Sequence, residues 1–243
     1  MGRLSKKMLM MVMGTSSYRK KIMGMFGSSL TAFWPLNEIS GGTATDIVAG
    51  LNGTYTNCTL NQAGIRSGEK SVLFDGTTSF INIYSAGLNA ALDGEFSFAV
   101  WAKVSGAGVW LDGVARYLFN VYVDANNRFF VSKSITNNVL TLVGLSGGAG
   151  GQIDVTSFNS TGWFCVCVTG SASNNRIKAY LNGAQVGVDK LCGAWTGAIS
   201  ATNTNIGANT NAPTGVFSGY LSNMMIFNRE LTPTEVASVS NPF

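Results

Sequence analysis

From residue 31 onward, short runs of aromatic and β-branched residues recur between clusters of Gly, Asn, Asp and Ser. That spacing predicts strands joined by turns. Strands are expected at 71–74, 80–84, 96–104, 116–123, 129–134, 138–142, 163–169, 176–181, 184–188 and 218–227. Asp75-Gly76 and Asn182-Gly183 are strong turn signals, because both dipeptides favour the positive φ of tight hairpins. The run 176–181, then Asn-Gly, then 184–188 reads as one hairpin, and Asp124-Ala-Asn-Asn127 marks another. Gly147-Gly-Ala-Gly-Gly151 reads as a flexible loop; no Lys-Ser/Thr follows it, so it is not a phosphate cradle. One helix is predicted, at the end of the chain. Thr232-Pro-Thr-Glu235 forms a capping box with Pro at the first helical position, and Asn241-Pro242 stops the helix. Many short strands and one terminal helix predict an all-β, two-sheet antiparallel sandwich of jelly-roll type.

The first 30 residues break this pattern. Seven of the nine methionines fall within the first 25 residues. Arg3, Lys6, Lys7, Arg19, Lys20 and Lys21 lie there with no acid, whereas the remainder holds 10 basic and 12 acidic residues. The net charge of +4 therefore describes a basic, Met-rich arm (residues 1–30) on a nearly neutral body (residues 31–243). The start resembles a signal peptide, but its apolar run is short and a second basic cluster follows closely, so an uncleaved arm is expected. No apolar stretch reaches the length of a transmembrane helix. The body carries no basic face suited to a nucleic-acid backbone, so no specific nucleic-acid partner is expected.

Histidine is absent. That excludes imidazole-based hydrolysis and His-ligated metal sites. The four cysteines, Cys58, Cys165, Cys167 and Cys192, show no zinc spacing and are expected to be reduced; a Cys58–Cys192 bridge is the alternative. Cys165 and Cys167, two apart in an apolar run, should point to the same side of a strand.

Several segments, in order, resemble the laminin-G-like, or concanavalin A-like lectin and glucanase, jelly-roll family. They are Phe33-Trp-Pro-Leu-Asn-Glu38 with Asn52-Gly53-Thr54, then Val72-Leu-Phe-Asp-Gly76, Phe96-Ser-Phe-Ala-Val-Trp101, Ala179-Tyr-Leu-Asn-Gly183 and Phe217-Ser-Gly-Tyr-Leu-Ser222 running on to Leu231. The resemblance spans roughly residues 31–240 and implies carbohydrate recognition, adhesion or assembly, not one function. Relatives often carry calcium through an acidic residue in the last strand. Here Ser222 stands at that place, and Glu38, Asp46 and Asn52 are left as candidate calcium ligands in the first loop.

Glucanases of this broad fold cluster carboxylates on one strand, and retaining glycosidases need two carboxyls about 5–5.5 Å apart. None of the five Glu lies in such a pattern, and Asp93 with Glu95 flanks a turn, so no enzyme is expected. For sugar binding, Trp110 with Asp112, and Trp195, sit in Gly-rich stretches and are the candidate ligand residues. The leading expectation is a non-enzymatic bacteriophage virion protein: a capsid decoration, head-fibre or tail component, assembled in the host cytoplasm. The assembly arm would hold Arg3, Lys6, Lys7, Met8, Met10, Met11, Arg19, Lys20 and Lys21, its partners other virion subunits or further copies of the chain in an oligomer. The alternative is a carbohydrate-binding module for surface glycans. A third reading, a secreted adhesin with an uncleaved anchor, predicts membrane association.

Overall fold

The structure is a computed structural model that describes residues 18–92 and 94–243. Arg3, Lys6, Lys7, Met8, Met10, Met11 and Asp93 lie outside the described residues. The chain runs α1 (Tyr18–Phe26), β1 (Leu30–Trp34), β2 (Thr43–Ala44), β3 (Gly53–Thr56), β4 (Thr59–Ala63), β5 (Lys70–Asp75), β6 (Phe80–Asn82) and α2 (Ala86–Ala90). It continues through β7 (Glu95–Val104), β8 (Arg116–Asp124), β9 (Asn127–Lys133), β10 (Leu140–Ser146), β11 (Ala149–Val155) and β12 (Phe164–Ser171). The last elements are β13 (Arg176–Leu181), β14 (Ala184–Lys190), β15 (Asn205–Ile206), β16 (Ser218–Phe227) and α3 (Pro233–Val239).

Two eight-stranded antiparallel sheets face one another. The first runs β14-β13-β12-β7-β16-β5-β4, with β1 added beside β16; the second runs β11-β10-β9-β8-β15-β6-β3-β2. Their inner faces enclose the main core, in which Phe98 touches both Phe119 and Phe129 of the opposite sheet, 5.6 and 5.4 Å away centroid to centroid. The sandwich expected from the strand pattern is the one observed. Gly147-Gly148 turns the β10–β11 hairpin, and Gly150 and Gly151 belong to β11, so the expected flexible loop is a turn and a strand start. A Cβ at Gly150 would lie 2.0 Å from the Gly144 carbonyl oxygen, which explains a strand that carries no β-forming signal there.

β16 is paired along both edges. Ser218–Leu221 bond to β5, Met224–Phe227 bond to β1, and β7 occupies the other side throughout. The change of partner falls at buried Ser222 and Asn223, where Asn223 takes φ 52°. The Asn223 amide N–H donates to Pro35 O, and the Ser222 hydroxyl to Lys70 O. Ser222 is thus used up in joining strands.

The outer face of the first sheet is covered as well. Ala99, Trp101, Cys165, Cys167, Tyr180, Met225 and Phe227 form a second core with Tyr18, Ile22 and Phe26 of α1 and Val236 and Val239 of α3. The Trp101 indole N–H donates to the Tyr18 hydroxyl (3.1 Å), which itself donates to Val239 O. Lys21 caps the chain end by donating to Asn241 O (2.7 Å) and Phe243 O. This corrects the boundary expected at residue 30. The segment from Tyr18 is part of the domain because Tyr18, Ile22 and Phe26 recur at a helical spacing of four and face one way. All four cysteines are free thiols; burial pushes Cys165 and Cys58 up to about 12, so both stay protonated.

The C-terminal capping box forms as the sequence predicts, Glu235 N–H donating to Thr232 Oγ1 and Thr232 N–H to Glu235 Oε2. Arg229 clamps the same carboxylate with two hydrogen bonds of 2.8 and 2.7 Å. That pairing holds the Glu235 carboxyl down at about 2, against an ordinary value of 4.5. A depressed carboxylate stabilises the fold above its unfolded pKa and loses that contribution as pH falls through the folded value. The stability gap between wild type and Glu235→Gln should therefore be widest above pH 4.5 and close as the pH approaches 2, read from urea midpoints. The second core makes a further prediction. Ile22→Ala and Phe26→Ala should each cost about 3 kcal/mol in urea unfolding; a negligible cost would show that α1 does not hold the domain together.

Candidate functional site

With one sheet covered on both faces, the outer face of the second sheet is the open one. Its strand registers bring a mostly polar row of side chains into line: Thr54, Asn82, Asn205, Asn120, Phe130, Val143 and Gln152, one from each successive strand. Asn82 Nδ2 donates to Asn205 Oδ1, to Asn211 Oδ1 and to Ala201 O. Buried Asn120 Nδ2 donates to Asn203 O (2.9 Å) and Asn209 O (3.0 Å). These amides pin the 201–215 loop down over the sheet, and Tyr117 N–H donating to Gly215 O (2.7 Å) closes its far end.

Between this loop and the strands lies a cavity of about 200 Å³. Tyr117, Asn120 and Tyr122 of β8 form one part of its wall, and Arg128 and Phe130 of β9 another. Asn203, Asn209 and Thr210 of the loop complete it. The Tyr117 and Phe130 rings pack at 5.1 Å, tilted by 46°, and the Arg128 guanidinium sits 5.6 Å from the Phe130 ring centre. Partial burial raises the Tyr117 phenol above its ordinary value despite the nearby Arg128 charge, so it remains a hydrogen-bond donor at neutral pH. A second cavity, of about 150 Å³, is lined by Lys178, Glu230 and the start of α3. Its two charges are paired with each other at 2.8 Å.

The residues expected to bind ligand from sequence lie elsewhere. Trp110 is 1% exposed: the 3-10 turn Ala107–Leu111 folds the indole inward, edge-on to Phe158 at 5.0 Å, with its N–H donating to Ser160 O. It presents no face to a ligand. Asp112 is held by Arg116 (2.6 Å) and Lys133 (2.7 Å). Partial burial alone would raise its carboxyl; the donors from Lys133, Val114 and Arg116 outweigh that and keep it below the ordinary value. Trp195 is half-buried and stacks flat on Phe129, 5.0 Å away at 18°. Trp110 and Trp195 plug different parts of the sandwich, because glycine-rich flanks let a large ring turn into the core as readily as out of it.

The first-loop residues also differ from expectation. Asp46, buried, accepts from the backbone N–H groups of Phe33, Val48, Ala49 and Leu51, and Asn52 Oδ1 accepts from Asp46 N–H. Glu38 accepts from Thr45 N–H and the Tyr55 hydroxyl. These oxygens already face N–H and O–H donors, which a cation would repel, so Glu38, Asp46 and Asn52 are a loop staple in place of a calcium site. Among the described residues, no three His, Cys, Asp or Glu side chains are placed to hold a metal. Of the arm residues, Lys21 is tied to the chain end, and Arg19 and Lys20 lie on α1, Arg19 half-buried and Lys20 exposed. No described helix is long and apolar enough to cross a membrane.

The site that sequence reasoning missed carried a faint signal. Tyr117, Asn120 and Tyr122 fall within one expected strand, and Arg128-Phe-Phe130 opens the next. Their shared face was hidden by a register shift between Tyr117 and Phe119, which breaks simple alternation.

Residues 75–237 match the family described as the Concanavalin A-like lectin/glucanases superfamily, and the chain belongs to that family. No curated protein matches it. Among solved structures, it is similar to domain 4 of AbnA, a GH43 extracellular arabinanase from Geobacillus stearothermophilus, in complex with arabinotriose. The TM-score is 0.60 at 18% identity, over 88% of this chain and 98% of that one. It is similar also to the CBM40 of Ruminococcus gnavus IT-sialidase, at TM-score 0.55 and 13% identity, over 70% of this chain and 96% of that one. A third likeness is to Trypanosoma rangeli sialidase, at TM-score 0.63 and 10% identity, over 97% of this chain but only 39% of the sialidase. At these identities the likeness establishes the shared fold.

The burial of Trp110 has a direct test. Trp110→Ala should lower unfolding stability by about 3–5 kcal/mol in urea. A change near zero would mean the ring faces solvent after all.

Proposed function

We propose that this domain is a non-catalytic carbohydrate-binding module and that the cavity over β8 and β9 receives the glycan. The observation that carries this reading is the cavity's chemistry. Sugar rings present apolar C–H faces and rows of hydroxyls. Here the rings of Tyr117, Tyr122 and Phe130 stand beside amide and hydroxyl groups from Asn120, Asn203, Asn209 and Thr210. A volume of about 200 Å³ suits a single sugar unit. None of the residues lining it is a carboxylate, so the pair of acids that most glycoside hydrolases need is missing from this site, which favours binding over cleavage.

The fold neighbours support the same reading. One is an arabinanase domain seen with arabinotriose, and another is a sialidase CBM40 seen with α2,3-sialyllactose. The expected virion role draws no comparable support. It rested in part on a basic Met-rich arm anchored to other subunits, and the part of that segment from Tyr18 to Phe26 is packed into the domain's own second core.

A glycan array probed with the full chain, followed by calorimetry on the best hits, tests the proposal. Binding should be detected, and Phe130→Ala and Tyr117→Ala should each weaken it about 30-fold, the effect of losing a contact worth about 2 kcal/mol. Absence of any glycan signal from the folded wild type would overturn the reading.

A further inference from the structure

We infer that the sugar taken by this cavity is an acidic one, carrying a carboxylate, and that Arg128 is the residue that selects it. This rests on the reading of the cavity as a glycan site and adds the substrate class.

The inference comes from how the cations of the two cavity strands are compensated. β8 and β9 carry three: Arg116, Arg128 and Lys133. Arg116 and Lys133 share Asp112, at 2.6 and 2.7 Å, and Arg116 also donates to the carbonyls of Gly76 and Val216. Arg128 has no such arrangement. Among the described residues it makes no ion pair, and its Nε, shielded from solvent, has no hydrogen-bond acceptor. Its guanidinium carbon lies over the Phe130 ring, 5.6 Å from the centroid. Asp154, on the same face of β11, is occupied by Thr141 (2.6 Å) and Gln152. Asp124, at the β8–β9 turn, accepts from the N–H groups of Asn126 and Asn127.

A partly buried guanidinium that lacks an anion leaves donors and charge uncompensated, which is costly. Here that guanidinium lines the cavity that otherwise offers only neutral groups. The complementary ligand is a sugar with one anionic group. A carboxylate fits better than a larger polyanion, because the cavity supplies a single cation and a planar fork that pairs with a planar carboxylate side by side. The aromatic and amide walls would hold the ring, as they would for any sugar, while Arg128 would decide between acid and neutral forms.

The experiment uses matched probes: glucuronic acid and N-acetylneuraminic acid, each against its methyl ester, and glucose 6-sulfate against glucose, titrated by NMR into the full chain. The wild type should bind at least one free acid ten-fold or more tighter than its ester, with the preference shrinking as salt is raised. Arg128→Gln should bring acid and ester to equal affinity, the ratio of the two being the readout. Arg128→Lys, which keeps the charge but loses the fork, should keep only part of the preference. Circular dichroism on each variant guards against loss of fold. Equal binding of acid and ester by the wild type, or a preference that survives in Arg128→Gln, would overturn the inference and leave a neutral-sugar module standing. A preference for the sulfate over both carboxylates would overturn the carboxylate assignment. Failure to bind any acid, ester, neutral or sulfated sugar would overturn it along with the glycan reading.

Discussion

The structure depends on one constraint: the sheet centred on β7 and β16 is buried on both faces. β12 has no exposed position, and β7 has only two that are not fully buried. A sheet buried this way needs a second apolar layer on its outside, and α1, α3 and the chain end supply it. The consequence for function is geometric. The helices α1 and α3 and the C-terminal residues take up one flank of the sandwich, so a ligand large enough to need an open surface must use the other sheet or a loop edge.

That other sheet is organised around amides instead of hydrophobic cover. Asn82, Asn205 and Asn120 lie on three adjacent strands, and each uses its side chain to hold the backbone or side chains of the 201–215 loop. Amides serve here because each offers donors and an acceptor at fixed geometry, so the irregular stretches on either side of β15 are fastened at several points. The loop then forms a wall for the cavity and leaves the rings of Tyr117, Tyr122 and Phe130 half-buried. Arg128 stands among these neutral groups as a charge with no anion beside it among the described residues, which makes the electrostatics of the cavity one-sided.

Much of the fold was legible because it depends on local chemistry. The hairpin at Asn182-Gly183, the β8–β9 turn at Asp124–Asn127, the two-sheet class and the capped helix at Thr232 all follow from short-range rules that the structure obeys. The same-side placement of Cys165 and Cys167 follows from the two-residue period of a strand. The errors have a common origin. Trp110, Trp195, Asp46 and Glu38 were read as available because their flanking residues look like loops, yet loops at the ends of a sandwich must still plug its core and satisfy their own backbone N–H groups. Residues 18–26 read as part of a separate assembly arm because the composition of the opening is unlike the body, although Tyr18, Ile22 and Phe26 form an apolar stripe.

The sequence by itself determined the class of architecture, the identity of most strands, the C-terminal cap and the exclusion of imidazole chemistry, since each is written in neighbouring residues or in composition. Only the tertiary structure decided which sheet face stays open and which of the cavity-strand cations share an acid. Those properties arise from residues far apart in the chain: Tyr18 against Val239, Asn120 against Asn209, and Asp112 reaching both Arg116 and Lys133 while leaving Arg128 uncompensated. A pattern along the chain records what each segment can become, but pairing and exposure are settled by what packs beside it.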